Sequence, residues 1–195
     1  MAEKKKFFQV DLPLVDQKAE LLAYHEVDLA GRTIKLDLTR KLRGKSLEIT
    51  FALKSQDGKI IAVPKRLLLL GYFIRRAVRK GIDYVEDSFK ANCKDAELII
   101  KPFLIARKKV SRAIKNALRV KAKESILETI KNLSYESLFS EILQGRFQRD
   151  LLVVLKKVYP LALCEIRDVV VVKSEAAVAT VKVEKVQEVK EEVKA

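Results

Sequence analysis

The sequence predicts an α+β fold, a mixed β-sheet or barrel with packed helices, built as one domain. Three observations point there. Apolar residues alternate with period two through the first half, shift to helical spacing in the second, and a β-branched run returns near residue 170. A chain of 195 residues is long enough for one sizeable core. Residues 1–25 read as an N-terminal arm, 26–172 as the α+β domain, and 173–195 as a flexible low-complexity tail of Lys, Glu and Val.

The elements follow in chain order. Phe7 to Leu12 is short and partly alternating before Pro13, and Asp16 to Tyr24 has the length of two helical turns. Arg32 to Leu38 alternates Ile34, Leu36 and Leu38 with polar residues, and Leu47, Ile49, Phe51 and Leu53 repeat the pattern. Asp57-Gly58 supplies a turn from which Lys59 to Val63 returns as a partner strand. Over Arg66 to Lys80 the spacing becomes helical, with Leu69, Leu70, Phe73, Ile74, Ala77 and Val78 on one face, and Gly81 stops it. Ile82 to Ala91 and Glu97 to Ile105 form a second strand pair. A long helix spans Val110 to Leu133, Ser134 caps another through Leu143, Gly145 interrupts, and a further helix runs from Phe147 to Val158. Leu161 to Val172, rich in β-branched residues, is the closing strand.

Charge narrows the partner. Forty Lys and Arg against 26 Asp and Glu give +14, a field that calls for a polyanion. Between Lys65 and Lys123 stand 17 basic and 5 acidic residues, so nearly all the excess lies there. No apolar run reaches the roughly 20 residues of a membrane span. Met1 to Lys6 carries no apolar segment behind it, so a cytoplasmic, non-membrane protein is expected. Cys93 and Cys164 fall in no paired motif and read as small buried hydrophobes, without a zinc site or disulfide framework. His25 is the sole histidine, and the glycines form no phosphate loop or dinucleotide fingerprint, so an enzyme, a metal site or a cofactor is not expected. Asp83, Glu86 and Asp87 balance the neighbouring cations rather than bind metal.

The helix after Arg107 carries the sharpest functional signal. Lys108, Arg112, Lys115 and Arg119 recur at spacings of four, three and four, with Lys123 a turn further and Lys109 beside the start. Val110, Ile114, Ala117 and Leu118 offer an opposing apolar face for docking. A cationic stripe turned outward matches a track of phosphates, and arginine adds a planar fork for phosphate or base, which points to RNA. Arg75, Arg76, Arg79 and Lys80 form a second patch that either binds RNA or complements the dipole of their helix. Lys4, Lys5 and Lys6 are either a phosphate-binding arm or ordinary terminal charge.

Residue order, beyond composition, brings a resemblance. Lys6-Phe7-Phe8-Gln9-Val10-Asp11-Leu12-Pro13, Gly31-Arg32, Ile82-Asp83, Lys101-Pro102, Arg107 through Lys115, Tyr159-Pro160-Leu161 and Glu165-Ile166-Arg167 fall in the order of one family. The chain resembles the archaeal and eukaryotic small-subunit ribosomal proteins of the e-S-one (S3Ae) family over roughly Lys6 to Val172. It departs at Asn92-Cys93-Lys94-Asp95-Ala96, which lacks the family's turn glycine, and at 16–29 and the tail, which have no counterpart. The resemblance implies a non-enzymatic ribosomal constituent on the small-subunit platform, close to where messenger RNA leaves. Its partners would be small-subunit ribosomal RNA and neighbouring ribosomal proteins, with messenger RNA near the exit as a further candidate. The alternative is a non-ribosomal RNA-binding factor acting in translation or ribosome assembly.

Overall fold

The chain opens with a two-stranded antiparallel ribbon, β1 (Lys6–Leu12) and β2 (Gln17–Ala23), in a computed structural model that describes residues 4–42, 44–56 and 59–174. Asp16 turns the chain with φ 50, a left-handed conformation that aspartate tolerates. The two helical turns expected over Asp16 to Tyr24 are therefore a strand. A helix that short is marginal alone, whereas pairing with β1 buries Val10, Leu12 and Ala23 on the ribbon's inner face.

Strands β3 (Thr33–Asp37), β4 (Leu47–Gln56) and β5 (Lys59–Leu69) form an antiparallel run, broken by a bulge between Thr50 and Phe51. The Asp57-Gly58 turn lies outside the described residues. After helix α1 (Gly71–Ala77) come β6 (Tyr84–Glu86), β7 (Phe89–Asn92) and β8 (Ala96–Ala106). Helices α2 (Arg112–Ile130), α3 (Tyr135–Gln144) and α4 (Arg146–Lys156) follow, then β9 (Leu161–Ser174). The sheet order is β3-β4-β5-β9-β8-β6, with β7 also on β8. This is the expected α+β fold, with the last strand inserted at the centre of the sheet. The barrel alternative is not realised: the short strands β3 and β6 remain edges, a length that limits pairing with other chains.

Two expected elements are redrawn. The helix anticipated over Arg66 to Lys80 shrinks to Gly71–Ala77, because β5 continues through Leu69. A leucine run satisfies both periods, and here β4 and β9 on either side supply the ladder that decides, with Leu47 opposite Leu69 and Val170 opposite Arg66. Ile82 to Ala91 divides into β6 and β7, and the break falls opposite Lys101-Pro102, where proline has no amide hydrogen for the ladder. The hairpin between β7 and β8 closes without glycine, through the Cys93 N–H donating to the Ala96 carbonyl at 2.8 Å.

Local chemistry fixes the helix ends. The Ser111 hydroxyl accepts from the Ile114 N–H at 3.5 Å, and Ser134 does the same for Ser137 at 3.4 Å. Gly145, at φ 72, ends α3 and begins α4. Leu118, Ala122, Ile126 and Ile130 seat α2 on the core, where Phe51, Phe103 and Phe139 are fully buried. Cys164 is buried too, and that burial pushes its thiol up to about 12; half-buried Cys93 rises to about 11 for the same reason. Lys173 and Ser174 complete β9, and the tail expected beyond them lies outside the described residues. Among the described residues no helix is long and apolar enough to cross a membrane.

Candidate nucleic-acid interface

A basic side chain can contact RNA only if the fold leaves it unspent. Of the 17 cations between Lys65 and Lys123, five are in ion pairs among the described residues. Arg66 sends two hydrogen bonds of 2.9 Å to the buried Asp168, which also accepts from Lys101 at 3.1 Å. Lys90 pairs with Glu97, Lys121 with Glu124, and Lys115 with Asp83 at 3.1 Å. Outside the segment, Lys45 pairs with Glu165 and Arg167 with Glu86. Apart from Lys121, whose pair lies within α2, these cations join one element of the fold to another.

Asp83 organises what remains. Its carboxylate accepts from the Val110 N–H at 2.8 Å and from Lys115, and its carbonyl accepts from the Ala106 N–H at 2.9 Å. It thus ties the turn before β6 to the loop before α2. The Val110 hydrogen bond, with Lys115 next, holds the Asp83 carboxyl below the usual carboxylate range. Arg79 and Lys80 lie four and three residues before Asp83; Arg107, Lys108 and Lys109 lie directly before Val110. Two patches separated in sequence therefore meet at one junction.

At that junction Arg107, Lys108, Lys109, Arg112, Arg79 and Lys80 are exposed, and none of their side chains has an ion-pair or hydrogen-bond partner among the described residues. Arg112 is the first residue of α2, whose first turn contains no acid, so the helix dipole adds to the positive potential. Arg119 is exposed two turns on.

The stripe differs from its sequence pattern in three places. Lys115 turns inward to Asp83, because it stands three residues before the buried Leu118 and shares its face. Ala117, expected on the docking face, is exposed. Lys123 is exposed but lies 5.9 Å over the Phe89 ring, about 17 Å along the helix from Arg112. The second patch also divides. Arg75 and Arg76 are in the last turn of α1, while Arg79 and Lys80 belong to the turn beyond it. Arg76 donates to the Gly44 carbonyl at 3.2 Å and stacks over Tyr72 and Phe73 at about 6 Å, aromatic neighbours the charge pattern did not reveal. Lys4, Lys5 and Lys6 stand at the start of the β1–β2 ribbon, with Lys5 5.4 Å over Tyr24.

Sequence comparison adds an independent line. The Ribosomal S3Ae family model matches residues 2–175. A Nanoarchaeum equitans protein, small ribosomal subunit protein eS1, is 25% identical over 166 residues, spanning 81% of this chain and 84% of the relative. The eS1 of Pyrobaculum aerophilum is 29% identical over 160 residues, 80% of this chain and 72% of that protein. The eS1 of Saccharolobus islandicus is 24% identical over 177 residues, 87% and 85% of the two chains. The match takes in the ribbon, the sheet, all four helices and the Asp83 junction, and on that extent the chain belongs to the Ribosomal S3Ae family.

Proposed function

We propose that this chain is a structural, non-enzymatic constituent of the small ribosomal subunit in the cytoplasm. In this reading it is held on ribosomal RNA at the platform near the messenger RNA exit, against neighbouring small-subunit proteins, with messenger RNA at the exit as a further contact. The observation that carries the reading is the family match across residues 2–175, since the relatives so matched are named as small-subunit proteins. The unspent cations around Asp83 supply a physical means of attachment. Phosphates condensed on Arg107, Lys108, Arg112 and Arg119 would release counterions, which makes attachment strong at low salt and steeply salt-dependent.

Sedimentation of lysates at moderate salt tests the assignment. The protein is expected to travel with small subunits. Recovery wholly in the soluble fraction would overturn the ribosomal reading in favour of a free factor acting in translation or ribosome assembly.

A further inference from the structure

We propose that the outward face of the β1–β2 ribbon is a stacking platform for single-stranded RNA, with Phe7 under a base, Lys5 beside it on the same face, and Lys4 and Lys6 at the ribbon's end within reach of the adjoining phosphates. The idea rests on the RNA-bound reading above, but it names a contact separate from α2 and for a different form of RNA.

The cross-strand register explains why this face is unusual. Reading along its outward pairs from the turn, Asp11 and Lys18 form an ion pair at 3.8 Å, and the Gln9 amide donates to Glu20 at 3.4 Å. Next Phe7 stands opposite Leu22, and one step beyond the ladder Lys5 covers Tyr24. The polar pairs near the turn satisfy each other. Phe7 and Leu22 do not find cover: Phe7 is 71% exposed, Leu22 43% and Tyr24 46%. The opposite face of the same ribbon is fixed in the core by Val10, Leu12 and Ala23, so the rings stand on a rigid backing. Single exposed apolar residues are ordinary, but adjacent ones on a strand pair mark a contact surface.

Charge selects the occupant. Lys5 stands on the Phe7 face, and Arg32, which donates to the Leu22 carbonyl at 3.2 Å, brings a second cation to that end; Lys4 and Lys6 alternate to the other side of the ribbon, where they have no acidic partner among the described residues. The acids on this face, Glu20 and Asp11, are engaged further along by Gln9 and Lys18. Past Tyr24, the Asp28 carboxylate accepts from the His25 N–H. A flat apolar ring rimmed by cations fits a nucleotide whose base is unstacked and whose phosphates are close by. A duplex keeps its bases inside and offers Phe7 nothing.

The chain contains no tryptophan, so Phe7→Trp in the full-length protein installs one fluorophore at the proposed platform. Titration with an oligouridylate of about 12 nucleotides should quench its emission saturably, while a blunt RNA duplex should not. Phe7→Ala should weaken oligouridylate binding about tenfold, with an unchanged circular dichroism spectrum because the ring is exposed. Combined Lys4→Gln, Lys5→Gln and Lys6→Gln should flatten its salt dependence. Adding Arg112→Gln and Arg119→Gln to Phe7→Trp should leave the quenching in place, which separates this contact from the one at α2. The proposal fails if oligouridylate leaves the emission unchanged while duplex binding persists. It fails equally if the emission shifts only on assembly into small subunits and never with oligouridylate, since a protein would then cover the ring. Loss of sedimentation with small subunits, by contrast, would count against the ribosomal reading and leave the titration to be judged by itself.

Discussion

Arg66 and Lys101 on the sheet and Arg107 to Arg112 before and at the start of α2 come from the same basic segment, yet the fold uses them in opposite ways. The first two converge on one carboxylate, Asp168, which is only 3% exposed. The others surround a helix N-terminus that has no acid in its first turn, with no ion-pair partner among the described residues. Cationic residues at similar density thus serve cohesion in one place and remain available to a polyanion in the other. What separates them is whether the topology delivers a carboxylate within reach, and the count of lysines and arginines does not say.

Stability should respond most strongly on the sheet. Asp168→Ala strands two cations, and the expected loss is about 2–3 kcal/mol by urea denaturation. That is below the ~3–5 of a fully buried pair, because Arg66 and Lys101 keep 44% and 40% exposure. An unchanged midpoint would dissolve the contrast from the cohesive side. Combined Lys108→Gln, Arg112→Gln and Arg119→Gln should do the converse, lowering affinity for small-subunit ribosomal RNA by at least about tenfold and reducing the salt slope by roughly three. Stability should move by no more than about 0.5 kcal/mol. If the slope is retained, α2 is not the contact.

Asp83 stands between the two regimes, since it holds a cation and also positions the free ones. Asp83→Asn should lower the melting temperature less than Asp168→Ala does. Because the folded-state carboxyl is depressed, its contribution is present above the ordinary aspartate range and fades as pH falls through the depressed value. Wild type and variant should therefore converge in strong acid; a gap that persists there would mean the shape of the side chain matters more than its charge. The smallest effect belongs to the exposed Lys121–Glu124 pair on α2, where Glu124→Gln should change stability by less than about 0.5 kcal/mol in thermal melts.

How much of this was legible depended on whether the deciding interaction was local. Ser134 and Gly145 announced the ends of α3 because capping and a left-handed turn involve residues three or four apart. The β4–β5 hairpin and the closing strand were legible for a similar reason, through alternation and β-branching. Arg66 to Leu69 reads as helix from its local pattern because the strand that pairs with Arg66 to Leu68, Asp168 to Val170, lies about a hundred residues away and leaves no trace there. The inward turn of Lys115 does have a signal in the sequence: it is three residues before Leu118, hence on the buried face, and Asp83 reads as a charge-balancing acid. The spacing of the stripe was visible, but the azimuth of the docking face was not.

The sequence by itself determined that the chain is α+β, that its excess charge lies between Lys65 and Lys123, and that it resembles a ribosomal family, since composition, periodicity and residue order are properties of the chain alone. Only the tertiary structure decided which cations are spent. It placed Asp168 beneath Arg66 and Lys101, and it joined the Arg79–Lys80 turn to the Arg107–Arg112 loop through Asp83. Ion pairs form between groups brought within a few ångströms, and that proximity is a consequence of strand order rather than of position along the chain.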